Sequence, residues 1–211
     1  MARESLGPIL LLTCLVSAVG FPEIGKSLTN PSRHLIQPTN LLQNPNADGG
    51  SQSWQKRGEA TIEEAAPGDP CFVVRNHGSF SQGIALREAM GQYVLLIGRV
   101  SSERINPDGA ITGLPYLYGM MLNEDGKRIN AYLQGQQMLC SAKTANEWVP
   151  AWGIFEVPAA TSRLLFSLSQ AERQGVPQNG SAAKFDDLGL HLFPAKEEAM
   201  AFVDQYLQQK K

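Results

Sequence analysis

The chain has 211 residues, of which 43% are hydrophobic and 18% are charged, and its formal net charge is −2. A chain of this length can bury one full-sized core, whereas two domains would each be small. The near-neutral charge gives no electrostatic reason to expect nucleic acid or an anionic membrane as a partner. We therefore expect one folded domain that binds neither of these.

The first twenty residues have the pattern of an export signal. An uncharged apolar run extends from Pro8 to Val19, and it is too short to span a bilayer comfortably. Ala18 and Gly20 place small residues where a signal peptidase cuts. A buried N-terminal helix is the alternative. We predict a signal peptide over residues 1–20, a flexible polar leader over residues 21–39, and a secreted, extracellular protein without a membrane span.

Cleavage after Gly20 would leave two cysteines, Cys71 and Cys140. An oxidising compartment permits a disulfide between them, and the two residues can equally be buried free thiols. Asn179 begins an Asn-Gly-Ser triplet, which is an N-glycosylation acceptor and mildly supports export. The three histidines are isolated from one another and do not show metal-ligand spacing.

From Asn40 onward, short apolar runs alternate with turn signals, which is the pattern of an antiparallel β-sandwich. No helix-period segment lies between the runs, and this argues against an alternating βαβ layout. A tight hairpin is predicted at residues 123–127, where an Asp-Gly pair suits the turn. The predicted strands are Cys71–Arg75, Ile84–Leu86, Tyr93–Val100, Leu114–Leu122, Arg128–Leu133, Gln137–Ser141, Gly153–Val157, Arg163–Ser169 and Lys184–Phe193.

A C-terminal helix is predicted over residues 194–211. Acidic residues follow Pro194 and two lysines end the segment, which complements the helix dipole. We expect its apolar stripe to pack on the sandwich, and a membrane anchor is the alternative. The stripe consists of Met200, Val203, Tyr206 and Leu207.

Two ends of this region match a known layout. The domain opens with Asn40–Gly49 (NLLQNPNADG) followed by Trp54, and it closes with Phe185–Leu190 (FDDLGL). Together with Phe80–Leu86 (FSQGIAL), these motifs resemble galactose-binding-like β-jelly-roll domains, especially carbohydrate-binding modules. Similar openings occur in the sugar-recognising domain of F-box-associated proteins. The resemblance implies an all-β jelly-roll sandwich over residues 40–193.

The resemblance also implies a structural calcium ion. In a jelly roll the first and last strands lie close, so carboxylates from both can face one point. Carboxylate and carbonyl oxygens are the ligands that Ca²⁺ prefers. The expected ligands are Asp48, Asp186 and Asp187, with backbone carbonyls nearby. The alternative is that Asp48 caps a turn and that one of the paired aspartates is solvated.

A sugar-binding face is the second implication. Sugars require aromatic platforms for their C–H faces and planar polar groups for their hydroxyls. We expect Arg75 to mark this face, with Tyr118 and Trp152 as candidate stacking residues, and packing against the fold is the alternative for both aromatic residues. Arg75 interrupts an apolar strand, so either its face is open to a ligand or Arg75 pairs internally with a carboxylate. The candidate ligand-binding residues are Arg75, Gln82, Tyr116, Tyr118, Tyr132, Gln134 and Trp152.

Other aromatic residues are predicted to be structural. Trp54, Tyr93 and Trp148 occupy positions that this kind of domain packs in its core, according to the resemblance.

Catalysis is not expected. The chain has no Gly-x-Ser-x-Gly elbow, Gly-rich phosphate loop or His-Glu-x-x-His motif. The adjacent Glu63 and Glu64 are expected in a solvated turn. Two functions remain: a secreted, non-catalytic carbohydrate-binding module whose partner is a glycan or glycoprotein, or an extracellular structural or protein-interaction domain on the same scaffold.

Overall fold

Some strands are buried on one side and others on both sides, and together they form two antiparallel sheets. A computed structural model describes residues 38–103, 114–129, 146–171 and 181–210. Its elements are β1 Gln55–Arg57, β2 Ala60–Ala66, β3 Asp69–Arg75, β4 Ser79–Ala85, β5 Tyr93–Ser102, β6 Leu114–Leu122, β7 Val149–Glu156, β8 Arg163–Ala171, β9 Ala182–Phe193 and the helix α1 Lys196–Gln209.

The strands form a four-stranded sheet in the order β1-β4-β8-β6 and a five-stranded sheet in the order β2-β3-β9-β5-β7. The main core lies between them and includes Phe72, Phe80 and Phe166. Trp54 belongs to this core, with its ring centroid 4.8 Å from that of Phe72. The predicted all-β sandwich and the core position of Trp54 are confirmed.

The strongly apolar strands were predicted closely, and β6 has the predicted bounds. The hairpin after β6 is also confirmed: the Asn123 N–H donates to the Lys127 carbonyl at 2.9 Å, and Gly126 has a φ of 74°. Arg128 forms a single bridge with Leu122, and the rest of the strand predicted there lies outside the described residues, as does Gln137–Ser141.

Two strands were missed because they carry few apolar residues. The three residues of β1 are all exposed, and β2 places Glu63 and Glu64 in a strand. The prediction of a turn at these glutamates is therefore wrong. Glu63 pairs with Cys71 of β3, so β2 is held in the sheet by its neighbour. Because β2 is an edge strand, it can form without the apolar pattern of a central strand.

Helix α1 packs on the outer face of the five-stranded sheet. Ala199 and Val203 are buried against Leu95, Ile97 and Phe193, which form a second apolar cluster. The helical periodicity therefore predicted both the helix and its packing face. Among the described residues, no helix combines the length and the apolar character that a bilayer crossing requires.

The opening motif lies beside the last strand. The Asn40 side chain donates to the Leu188 carbonyl at 2.9 Å and accepts from the Leu190 N–H at 3.0 Å. The Leu41 N–H donates to the Leu190 carbonyl at 2.8 Å. These bonds join residues at opposite ends of the described domain, as the resemblance implied.

Candidate functional site

Arg75 lies on the outer face of the five-stranded sheet and pairs with carboxylates. Its guanidinium donates to both carboxylate oxygens of Glu63 and lies 3.6 Å from Glu103. Lys184 contacts Glu103 as well, at 3.5 Å. The hydrogen bonds from Arg75 lower the pKa of Glu63 to about 2. Of the two alternatives for Arg75, internal pairing is the one that the structure has.

The closing motif builds a second ionic cluster on the same face. The register of β9 shifts near Asp187, whose φ is 49°, and both aspartates lie near Arg99. Arg99 is 3.9 Å from Asp186 and 3.3 Å from Asp187, and it lies over the Trp148 ring. Lys210, which follows the last residue of α1, contacts Asp187 at 2.6 Å. Burial raises the pKa of Asp186.

These contacts do not fit the predicted calcium site. Asp186 and Asp187 face the cationic groups of Arg99 and Lys210, which neutralise them. Asp48 lies in an exposed turn that Asn44 stabilises by accepting from the Gly49 N–H at 2.9 Å. In the described ranges, no three acidic, His or Cys side chains form a group that could hold a metal ion. Asp186 and Asp187 therefore share the cation of Arg99, and a bound calcium ion stays a prediction.

Other predicted residues have structural contacts. Gln82 is 7% exposed, and its amide bonds to the backbone of Gln43 and Ser53. Trp152 packs in the cluster beneath α1. Cys71 is a buried free cysteine, and burial raises the pKa of its thiol to about 11. Four predicted residues lie outside the described residues, together with the signal and most of the leader: Tyr132, Gln134, Cys140 and Asn179.

The predicted face is therefore divided between the two sheets. Arg75 and Trp152 belong to the five-stranded sheet, whereas Tyr118 belongs to the four-stranded sheet. Strand alternation predicts which residues share a side of one strand, but it does not predict which sheet a strand joins. Arg75, Trp152 and Tyr118 therefore do not form a single sugar site.

The outer face of the four-stranded sheet carries polar and aromatic groups. Tyr116 and Tyr118 flank the buried Leu117, and their half-buried rings stack with centroids 4.8 Å apart. Serines of β4 and β8 lie beside the tyrosines on this side of the sheet; Ser79, Ser81 and Ser169 are half-buried and Ser167 is buried. Two rows result from the register: Tyr116, Ser169 and Ser79 form one, and Tyr118, Ser167, Ser81 and Gln55 form the other.

Two adjoining clefts lie further along the same strands. Their volumes are about 430 Å³ and about 480 Å³, and both are lined by Gly83, Ala85 and Arg163. A Cβ atom at Gly83 would lie 3.5 Å from the Arg163 side chain, so the glycine leaves space beside that side chain. The further polar residues that line one cleft or the other include Gln55, Arg87, Asn123 and Glu124.

Sequence reasoning did not find these clefts. Arg163 begins a strand and Arg87 lies between strands, and neither interrupts an apolar pattern. Only the register brings them together, because Arg163 pairs with Ala85 on one side and Leu122 on the other.

Comparison with solved structures addresses the fold. The xylan-binding domain of carbohydrate-binding module family 22 superposes with a TM-score of 0.51 at 14% sequence identity, covering 74% of this chain and 97% of that one. The family 22 module CBM22-1 of Paenibacillus barcinonensis Xyn10C gives 0.47 at 16% identity, covering 75% and 97%. This chain has the β-jelly-roll fold of carbohydrate-binding modules.

The same jelly-roll fold occurs within a larger protein. The enzymatically active domain of tailspike protein 4 from bacteriophage CBA120 superposes with a TM-score of 0.54 at 14% identity. The alignment covers 73% of this chain but 21% of the tailspike chain. No protein-family model matches the chain, and no curated protein matches it in sequence. At these sequence identities the similarity shows the jelly-roll fold and does not identify a ligand.

Proposed function

We propose that this chain is a secreted, non-catalytic carbohydrate-binding module whose glycan lies on the outer face of the four-stranded sheet. The observation that carries the proposal is the stacked pair Tyr116–Tyr118, which shares its face with two polar clefts. The jelly-roll fold supports it, and one structural neighbour is named as a xylan-binding domain.

The chemistry of the face suits a sugar chain. Aromatic rings offer apolar surface to the C–H side of a pyranose, while amide and guanidinium groups bond to its hydroxyls. Along β8, the distance from the Tyr118 row at Ser167 to Arg163 is about 13 Å at the usual strand rise. A ligand that spans the rings and the clefts is therefore an oligosaccharide and not a single sugar.

Binding without turnover is part of the proposal. Glycoside hydrolysis typically uses two carboxyl groups on either side of the scissile bond. Among the described residues that line the two clefts, Glu124 is the only carboxylate. We assign Glu124 the role of accepting hydrogen bonds from sugar hydroxyls.

Export is the remaining part of the proposal. The apolar run before Ala18 and Gly20 supports a signal peptide over residues 1–20. Mass spectrometry of the protein from its native source tests this: a mature N-terminus at Phe21 is expected, and an intact Met1 or a retained, acetylated Ala2 contradicts it.

The binding test is calorimetric titration of xylohexaose, cellohexaose and β-1,4-galactotriose into the mature domain. We expect at least one to bind, and Tyr118→Ala to weaken that binding about tenfold, a free energy comparable to that of an aromatic contact. Trp152→Ala is the matched control, because Trp152 lies beneath α1 on the other sheet. The melting temperature of each variant reports whether it remains folded.

Two results contradict the proposal. Binding that is weakened by Trp152→Ala but not by Tyr118→Ala would place the ligand on the five-stranded sheet. If none of the sugars binds at millimolar concentration, the extracellular structural or protein-interaction domain takes its place.

A further inference from the structure

Two arginines lie at the clefts. Arg163 lines both clefts and Arg87 lines one of them, and both side chains are exposed. Within the part of the chain that the structure describes, neither guanidinium forms an ion pair or a hydrogen bond. A guanidinium carries five N–H donors in a planar fork, so both residues retain their full donor capacity for a ligand.

The contrast with the other sheet is direct. There, Arg75 donates to Glu63, and Arg99 contacts Asp186 and Asp187. Those arginines are neutralised by the fold, whereas Arg87 and Arg163 are not. Among the described residues, no salt bridge holds either of these two arginines, although Glu124 lines the same cleft.

The surroundings of Arg163 keep its guanidinium accessible. Its stem passes Gly83, where a Cβ atom would lie 3.5 Å from Cδ, and its Nη2 atom would lie 3.8 Å from a Cβ at Gly126. Both neighbours are glycines, so no side chain at these positions covers the group. The hairpin that contains Gly126 also contributes Glu124 to the cleft.

The charge balance favours an anion even with Glu124 present. Two arginines and one glutamate line the cleft of about 430 Å³, and Arg163 is the only charged residue described in the adjoining one. Carboxylates match the guanidinium fork through two parallel hydrogen bonds, a geometry that adds specificity as well as binding energy. A hydroxyl group has a single oxygen and therefore cannot match two parallel N–H groups of the fork in this way.

We propose that the clefts select an acidic polysaccharide, with the carboxylate of a uronic acid residue bound by Arg163 and supported by Arg87. This inference rests on the proposed function, because it names the ligand class of the same face. The stacked tyrosines hold a neighbouring sugar of the chain, and Glu124 accepts from a hydroxyl of the uronic acid.

The test uses trigalacturonate and its methyl ester, which have the same sugar skeleton and differ in charge. Calorimetry with the wild-type domain is expected to show the acid binding about tenfold more tightly than the ester, as for a hydrogen bond to a charged group. Added NaCl should weaken binding of the acid and leave the ester unaffected.

Variants assign the effect to residues. Arg163→Gln should remove the preference for the acid, and Arg87→Gln should reduce it. Lys196→Gln is the control: it removes the same charge from α1, which packs on the other sheet, and it should leave the preference unchanged. Because all three side chains are exposed, the melting temperatures should remain close to that of the wild type.

The outcomes separate this inference from the proposed function. Equal binding of acid and ester, with neutral oligosaccharides still binding, overturns the acidic ligand and leaves the module intact. Failure of every sugar, charged or neutral, overturns the proposed function. A sulfated galactan oligosaccharide that binds more tightly than trigalacturonate overturns the assignment of a carboxylate.

Discussion

The outer faces of the two sheets differ in how their side chains are packed and paired. On the five-stranded sheet, α1 covers Leu95 and Ile97, and the cations of Arg75 and Arg99 are held by carboxylates. On the four-stranded sheet, two half-buried tyrosines stack beside serines, and the guanidinium groups of Arg87 and Arg163 form no ion pair with the described residues. The arginines of the first face are therefore held by carboxylates, and those of the clefts are not held by any described carboxylate.

This difference predicts that the residues of one outer face act on stability and those of the other act on ligand binding. A buried or paired group is costly to change, because its partners lose their contacts or remain desolvated. An exposed group without a partner can be replaced at little cost to folding. Substitutions on the five-stranded side should therefore act on the free energy of unfolding, and those on the four-stranded side should act on binding.

The largest effect is expected for Val203→Asp. Val203 is fully buried between α1 and the five-stranded sheet, so the new carboxylate would lie in an apolar cluster without a partner. We expect the free energy of unfolding to fall by roughly 3 kcal/mol or more, measured by urea denaturation. Ala201→Asp, on the exposed side of the same helix, is the control and should change little. Equal losses in both variants would show that α1 is not docked as described.

A smaller loss is expected for Arg99→Met. The substitution leaves the buried Asp186 without its cation, although Lys210 still contacts Asp187. Because Arg99 is partly exposed, we expect about 2 kcal/mol, below the range for a fully buried pair. Arg57→Met on the exposed strand β1 is the matched control.

A double variant tests the cause of this loss. Combining Arg99→Met with Asp186→Asn removes the unpaired charge and should recover part of the stability. If the double variant is no more stable than Arg99→Met, loss of the contact with the Trp148 ring is the better explanation.

The smallest effect is a pH dependence that originates at Glu63. Its folded-state pKa is lowered from 4.5 to about 2 by the hydrogen bonds from Arg75. The stabilisation is therefore present above about pH 4.5 and is lost as the pH falls toward 2. Since the carboxylate is 38% exposed, solvent screening keeps the contribution at about 1 kcal/mol or less.

Comparing wild type with Glu63→Gln isolates this contribution. The difference in unfolding free energy between the two should shrink as the pH is lowered from 5 to 2. A difference that stays constant across this range would mean that the charge of Glu63 contributes nothing to stability.

Periodicity predicted the parts of the fold that are strongly apolar. The nine-residue stretch Leu114–Leu122 indicates a strand from its own sequence, and the apolar stripe that includes Val203 indicates a helix in the same way. The three exposed residues of Gln55–Arg57 carry no such signal, because an edge strand is held by its neighbour and not by its own side chains.

The site was less predictable because it depends on register. The partner of Arg75 is Glu63, twelve residues earlier in the adjacent strand, and no local pattern distinguishes that pairing from an open face. Tyr118 and Trp152 are separated for the same reason: sheet membership follows from strand order and not from alternation. Arg163 acquires its role only when β8 lies between β4 and β6.

The hydrogen bonds between Asn40 and the last strand constrain the order of events during synthesis. Asn40 bonds to the Leu190 N–H across 150 residues of sequence. The ribosome releases residue 40 long before residue 190, so nearly the whole domain must emerge before these bonds can form. Until then the Asn40 segment has no neighbour in the last strand, and the jelly roll can be completed only after its final strand has been made.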